Sequence, residues 1–460
     1  MRFSELDGAT VGVWGAGREV ASFADQLARR LPAARIAVAA FDAPPAEDVL
    51  DRLKAPGARI VTGAEIVPGL SHCDVVVRSP GVSIYRPELH ALREAGRPVT
   101  TATALWLAEH GSAGVIGITG TKGKSTTAAL AHHLARAAGR TAHLAGNIGV
   151  PALDLLDAEP AEVIVLELSS YHTADLDTGP EVALVTNLFR EHTDWHGSEE
   201  AYRADKLRLL RLPGVRRVVL NGRDERLVEV VDAGSRPAVD VRLDYVVEPI
   251  IYGVPPGWDS VNGGIAFRGN MVAASTDLPL RGEHNALNLC GALTALEALG
   301  VEPAMPESLR GFRPLAHRLE TVVEREGVLW VNDSISTTPE STLAALASFP
   351  GREIVLIAGG QDRGQDYSQL GRALAQGEIT VIGVPSTGMR LLADARAAGL
   401  PSTRAIAAAD MPEAIDVARR LAGTGAAILL SPAAPSYDNY RDFEERGERF
   451  RRLADRARAV

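Results

Sequence analysis

The run Gly120-Thr121-Lys122-Gly123-Lys124-Ser125-Thr126 has the residue types and spacing with which a chain holds the phosphates of a nucleotide. Glycines let successive backbone N–H groups turn toward an anion, and a helix beginning just beyond adds its positive end. In such a loop Lys124 reaches the outer phosphates and the Ser125 hydroxyl ligates Mg2+. The strict pattern G-x-x-x-x-G-K-[ST] is not met, because Ile118 stands where its first glycine would be. The loop is therefore a variant. A plain glycine turn with a surface lysine is the alternative. It is disfavoured, because two glycines, a Gly-Lys-Ser-Thr run and a strand–helix frame rarely coincide.

Metal-bound phosphate needs further anionic ligands. Glu167 closes the apolar run 163–166, and a carboxylate at the carboxyl edge of a parallel sheet faces the ligand crevice. His192 follows the next apolar run, 182–186. Taken singly, a strand-end glutamate is as readily a solvated residue, and a lone histidine more so. Cys73 and Cys290 lie far apart without metal-type spacing and read as small buried apolar residues.

These residues must be positioned by alternating apolar runs and Ala/Leu/Arg-rich helical stretches, the signature of parallel α/β layering. The first such unit has strands at 10–14, 36–41 and 74–77 and a helix at 19–31. The second has strands at 114–119, 163–168 and 182–186 and a helix at 126–138. The third has strands at 328–331, 353–358, 379–384 and 426–430. Residues 239–280, rich in Gly, Pro and Val, read as an irregular β excursion, and 286–299 as a long helix. Boundaries fall near 101–111 and 313–314. The fold class expected is α/β in three domains: residues 1–108, 109–313 and 314–460.

A chain of 460 residues exceeds one ordinary core, in line with that division. A net charge of −10 argues against nucleic-acid binding, which needs basic patches. No run approaches the ~20 apolar residues of a membrane span, and Met1-Arg2-Phe3-Ser4-Glu5-Leu6-Asp7 carries acids where a signal peptide is apolar. With two cysteines, the expectation is a soluble protein of the reducing cytoplasm.

Several motifs occur in the order seen in Mur ligases, the amide-bond ligases of peptidoglycan precursor synthesis. They are residues 120–126, Gly146-Asn147-Ile148-Gly149, Leu166-Glu167-Leu168-Ser169-Ser170, Asn187 with Glu191-His192, Gly282-Glu283-His284-Asn285, His317-Arg318 and Asn332-Asp333-Ser334. The chain resembles that family over nearly its whole length, most closely the branch that adds glutamate to UDP-N-acetylmuramoyl-L-alanine. The resemblance implies a Rossmann-like UDP-binding domain, a central P-loop ATPase domain with a parallel sheet, and a Rossmann-like domain for the amino acid. It also implies ATP and Mg2+ as cofactors and an acyl-phosphate intermediate; a monomer is expected.

The resemblance assigns roles position by position. Gly120, Thr121, Lys122, Gly123, Lys124, Ser125 and Thr126 match the ATP loop. Asn285, Asn288, Arg318 and Asp333 match positions around adenine, γ-phosphate and ribose. Ser125, Glu167, His192 and Lys206 match metal positions, Lys206 being the lysine that such ligases carry as a carbamate. Lys124, His192 and Lys206 are the expected catalytic residues. Gly15, Ser79, Pro80, Asn147, Ser169, His172, Thr337, Arg363, Ser436 and Phe443 are expected to bind substrate.

Residues around the amino acid depart from the common D-glutamate pattern. Ile335 replaces a lysine, Thr338 an asparagine, Arg363 a second lysine and His172 a glutamine; Pro432-Ala433-Ala434-Pro435-Ser436 lacks the usual cysteine. Losing a cation beside a carboxylate and placing a bidentate guanidinium nearby should reorient a dicarboxylate. The pattern resembles a variant branch that adds L-glutamate, with D-glutamate the alternative. Three other readings stand beside it, one of them a non-catalytic nucleotide-binding regulator. A folylpolyglutamate synthase would lack the domain before the phosphate loop. An NAD oxidoreductase built on Gly15-Ala16-Gly17, with Asp42 on the ribose, would leave Glu167, His192 and Lys206 idle.

Overall fold

The computed structural model describes residues 1–15, 17–42, 53, 55, 57–189, 193–232, 248–278, 280, 282–313, 316–349, 351–362 and 364–455. Each of the three α/β stretches forms its own sheet. In the first, β1 (Thr10–Trp14), β2 (Arg35–Phe41), β3 (Arg59–Thr62), β4 (Val75–Arg78) and β5 (Val99–Thr100) run parallel in the order β3-β2-β1-β4-β5. The second comprises β6 (Val115–Thr119), β7 (Ala142–Gly146), β8 (Val163–Glu167), β9 (Val182–Val185), β10 (Arg217–Asn221) and β11 (Ile250–Tyr252), parallel in the order β11-β10-β9-β6-β8-β7. Every residue of β6, β8 and β9 is buried, which is why these strands read as unbroken apolar runs rather than alternations.

The stretch expected to be irregular is ordered wherever it is described. Beyond β11 it forms an antiparallel meander of β12 (Trp258–Val261), β13 (Gly264–Phe267) and β14 (Asn270–Ala273); residues 239–247 lie outside the described residues. The third sheet contains β15 (Glu320–Arg325), β16 (Val328–Asn332), β17 (Ile354–Ala358), β18 (Ile379–Gly383), β19 (Ala405–Ala407) and β20 (Ala427–Leu430) in the order β15-β16-β20-β17-β18-β19. Only β15 is antiparallel to its neighbour.

The chain divides into two compact units, Met1–Phe312 and Arg313–Val460. The first holds both of the first two sheets, whose apolar residues share one core. The expected cut after residue 108 falls within the helix Ala102–His110, which Thr101 caps and Gly111, at φ 84°, terminates. No described helix is long and apolar enough to cross a membrane.

Ion pairs rivet the two sheets together. Arg78, at the end of β4, is 0% exposed and donates to both carboxylate oxygens of Asp175 at 3.0 and 2.6 Å. Its remaining donors reach the carbonyls of Ser79, Pro80, Val82 and Tyr171. The helix Arg18–Arg30 is tied to the turn Ala152–Asp157 after β7 by hydrogen bonds from neutral side chains, Ser22 to Asp154 at 2.5 Å and Gln26 to Asp157 at 2.8 Å.

A buried pair stripped of one partner leaves an uncompensated charge. Arg78→Ala should therefore cost roughly 3–5 kcal/mol of stability, read as a lower denaturant midpoint. A change below about 1 kcal/mol, the scale of an exposed pair, would contradict the rivet.

Candidate active site

The phosphate loop forms where β6 passes into the helix Lys124–Ala137. Its glycines are required by geometry. Gly120 has φ +143°, and a Cβ there would lie 1.9 Å from Thr186 Oγ1. Gly123, the left-handed N-cap at φ +82°, would place a Cβ 2.2 Å from Asn288 Oδ1. The turn after β9 braces the loop. Asn187 Oδ1 accepts from the N–H groups of Thr121 and Lys122 at 3.1 and 2.7 Å, and its amide donates to the Lys122 carbonyl at 2.9 Å. The Thr186 hydroxyl donates to that same carbonyl at 2.6 Å. Lys124 Nζ rests against the Thr121 carbonyl at 3.0 Å.

Glu167 closes β8 directly beneath the loop and is 0% exposed. The Ser125 hydroxyl donates to Glu167 Oε2 at 3.4 Å, and the Asn147 amide to the same oxygen at 3.2 Å. Among the described residues Glu167 Oε1 has no hydrogen-bond partner. A buried carboxylate oxygen left unsatisfied costs about 1–3 kcal/mol or more, so it is a position at which a cation is favoured. Mg2+ keeps several waters and takes one or two carboxylates plus substrate phosphates, a donor set that Ser125 and Glu167 fit. The described residues hold no group of three His, Cys, Asp or Glu side chains able to bind a metal alone.

Lys206 lies on the helix Glu199–Leu207, is 2% exposed, and donates to the Gly120 carbonyl at 2.8 Å. Its ammonium sits 4.9 Å from the centre of the Tyr202 ring, whose hydroxyl meets Thr121 Oγ1 at 2.7 Å. The loop is thus gripped at Gly120, Thr121 and Ser125. His192 lies outside the described residues.

The expected UDP-facing residues converge on one turn. Gly15 and Gly17 would place Cβ atoms 2.9 and 2.8 Å from Ser79 atoms, so the turns after β1 and β4 close on each other beside Pro80. Sequence reasoning missed two neighbours. Arg18 donates to the carbonyls of Gly146, Asn147 and Gly149 at 2.9, 3.0 and 3.2 Å. Glu19, 7% exposed, bonds His172 Nε2 and accepts from Thr103 at 3.1 Å. On the other side of the ring, His172 Nδ1 meets the Ser169 hydroxyl at 2.6 Å. Burial opposes charge on both members of the Glu19–His172 pair, but their mutual attraction prevails. It holds the carboxyl below its usual range and the imidazole above its own.

Asn285 and Asn288 sit together on the helix Glu283–Ala298, with Asn288 donating to Asn285 at 3.3 Å and accepting from Thr127 at 3.4 Å. Thr126, in the first turn of the loop helix, is buried.

In the second unit, Asp333 follows β16 and is 3% exposed, with Ser431 donating to it at 2.8 Å and the Leu319 N–H at 3.2 Å. Burial pushes its carboxyl up to about 6 despite those donors and the nearby Arg318 guanidinium. Thr337 is half-buried, Ser436 is 2% exposed, and the Phe443 carbonyl accepts from Ser334 at 2.7 Å. Arg363 lies outside the described residues.

Two family models match the chain: the Mur ligase middle domain over residues 118–296 and the Mur ligase, glutamate ligase domain over residues 317–434. A UDP-N-acetylmuramoyl-L-alanine–L-glutamate ligase of Micromonospora sp. is 44% identical, covering 98% of this chain and 97% of that protein. Its namesake in Salinispora tropica is 42% identical, covering 98% of each. The solved UDP-N-acetylmuramate-alanine ligase of Thermotoga maritima has the same fold at 18% identity, with a TM-score of 0.58 over 98% of this chain and 100% of its own. The MurF ligase of Thermotoga maritima in complex with ADP superposes with a TM-score of 0.57 at 17% identity, over 99% and 97% of the two chains.

Two expectations follow from the geometry. Gly123→Ala should weaken ADP binding about tenfold or more, about 1.4 kcal/mol, since its Cβ displaces Asn288; calorimetric titration reads this. Asp333 binds its proton more tightly in the folded state, so the stability this contributes is present below its ordinary value of 3.8 and is lost as the pH rises through about 6. Melting temperatures over that range should show the parent losing ground to Asp333→Asn.

Proposed function

The chain belongs to the Mur ligase family, and we propose that within it the protein joins L-glutamate to UDP-N-acetylmuramoyl-L-alanine with hydrolysis of ATP to ADP. The observation that carries the ligase chemistry is the buried Glu167 carboxylate against Ser125 of the phosphate loop, with one oxygen left to a cation. L-Glutamate is favoured by full-length relatives of that name. It agrees with the loss of a lysine at Ile335.

A carboxylate is inert to amines until one oxygen becomes a good leaving group. The L-alanyl carboxylate attacks the γ-phosphate to give an acyl phosphate and ADP. The glutamate amine then adds to the acyl carbon, and phosphate departs as the tetrahedral intermediate collapses. Backbone N–H groups of residues 123–126, at the start of the loop helix, and Lys124 hold and neutralise the phosphates during transfer. Ser125, Glu167, His192 and a carbamylated Lys206 would hold Mg2+, which supplies further charge neutralisation there. Lys206 as carbamate would turn a cation under the loop into an anion, which accounts for a lysine in a metal site.

In this reading residues 1–108 hold the UDP-sugar around Gly15, Ser79 and Pro80, with Asn147, Ser169 and His172 nearer the muramoyl end. Residues 109–313 hold ATP, assisted by Asn285, Asn288, Arg318 and Asp333. Residues 314–460 hold glutamate through Thr337, Arg363, Ser436 and Phe443. The protein works as a cytoplasmic monomer.

ADP release with UDP-N-acetylmuramoyl-L-alanine and each glutamate enantiomer decides the amino acid; turnover with D-glutamate alone overturns the choice. Lys206→Arg, whose guanidinium cannot carry the carbamate, should lose about 100-fold or more in kcat. Full activity in that variant would sink the assignment of Lys206 to the metal site.

A further inference from the structure

His196 bonds in two directions within a sealed pocket. It closes the helix Thr193–His196 and is 2% exposed. Its Nδ1 meets Asp205 Oδ2 at 2.6 Å and its Nε2 meets the Ser170 hydroxyl at 2.9 Å. The Asp205 carboxylate only accepts, so Nδ1 carries a proton toward it, and the second bond joins Nε2 to the Ser170 hydroxyl. Tyr85, from the loop after β4, donates to the same Asp205 oxygen at 3.0 Å. Rings of Trp195, Tyr202, Tyr171 and Tyr85 surround the imidazole with centroids 4.4, 5.2, 5.8 and 6.4 Å away. Exclusion of water makes each of these bonds electrostatically stronger than it would be in solvent.

Serine, histidine and aspartate in this order of contacts also make the nucleophilic triad of hydrolases. That role needs a serine oxygen open to substrate. Ser170 is 2% exposed and Asp205 7%. The arrangement holds elements together and does not attack.

What it holds is specific. Ser170 stands three residues after Glu167, at the start of the helix Ser170–Thr173, and Asp205 immediately precedes Lys206. Glu167 and Lys206 each reach the phosphate loop, at Ser125 and at Gly120. The two segments come from different parts of the chain. His196 is a single side chain hydrogen-bonded to both. We infer that His196 is a positioning residue that sets the separation of Glu167 and Lys206, and so tunes the divalent-cation site of the ligase. The inference rests on the metal-holding role proposed above for those two residues.

The test measures Mn2+ binding to the full-length protein with ADP present, read from the loss of the free-ion electron paramagnetic resonance signal. His196→Ala should weaken Mn2+ about tenfold, the scale typical of residues that orient metal ligands. His196→Asn, which keeps a donor toward Asp205, should recover part of the loss. The KM for the UDP-substrate should move less than the Mn2+ affinity, since none of the residues expected to bind that substrate is removed. Glu167→Gln is the control for the metal role itself. If Glu167→Gln weakens Mn2+ and His196→Ala leaves it within about twofold, the positioning role is wrong. If Glu167→Gln also leaves Mn2+ unchanged, the metal reading fails and the proposal with it. Should His196→Ala not fold, Ser170→Ala removes one hydroxyl from the same network. It should weaken Mn2+ about threefold, the worth of one hydrogen bond, and an unchanged affinity would overturn the inference.

Discussion

Burying one carboxylate beside a phosphate loop constrains most of the first unit. An ionised group taken out of water loses several kcal/mol of hydration, which the surrounding structure must return in hydrogen bonds or counter-charge. Glu167 receives two donors on one oxygen and none from the described residues on the other. Holding it in place demands close backbone approach. A Cβ on Gly146 would lie 2.4 Å from the Glu167 carbonyl, so β7 can end against β8 only with glycine there. One on Gly149 would lie 2.2 Å from the Leu144 carbonyl, so the chain can turn back on β7 only with glycine at 149. Gly146 is therefore a steric consequence of where Glu167 sits. Asn147 uses the same approach to reach the carboxylate.

The first sheet is locked to this site rather than merely adjacent to it. Arg18 follows the glycine turn at the position where a dinucleotide-binding domain presents its helix N-terminus to pyrophosphate. Here its guanidinium is occupied by the carbonyls of Gly146, Asn147 and Gly149. Gly15 and Gly17 make room for Ser79. Asp42, the candidate ribose acid, is paired with Arg86 at 2.5 Å. These contacts remove the physical basis of the oxidoreductase reading. They also give the turn a different task, since Glu19 at its end reaches the His172–Ser169 pair two residues beyond Glu167.

The sheets were legible in the sequence because parallel strands covered on both faces must be apolar throughout. Strand ends fell within a residue or two of the apolar runs, as at β6, β8 and β17. The loop residues were legible because phosphate chemistry allows few alternatives. What stayed hidden were side chains whose partners lie far along the chain. Nothing in residues 78 and 175 separately marks them as an ion pair 97 positions apart. The same holds for Glu19 with His172 and for Ser170 with His196 and Asp205. The β character of residues 239–280 was legible, but the three strands of the meander β12–β14 were not separated, because short strands divided by glycine turns leave no run long enough to show a period.

In the second unit the departures from the D-glutamate pattern fall on a rigid frame. Arg446 is 2% exposed and donates to the Ser334 carbonyl, the Ser334 hydroxyl and the Ala434 carbonyl at 2.8, 3.0 and 3.0 Å. Burial draws its guanidinium down to about 10, yet the three bonds clamp the loops after β16 and β20 to each other. The Ile335 N–H is fixed to the His317 carbonyl at 3.1 Å, and Thr338 caps the helix Pro339–Leu346 by accepting from Ser341 at 3.3 Å. Asparagine and threonine both cap helices well, so that exchange keeps the backbone where it was. With the backbone held, replacing a lysine by Ile335 subtracts a positive charge from a defined place and adds none in return. A substrate bearing two carboxylates is sensitive to that subtraction.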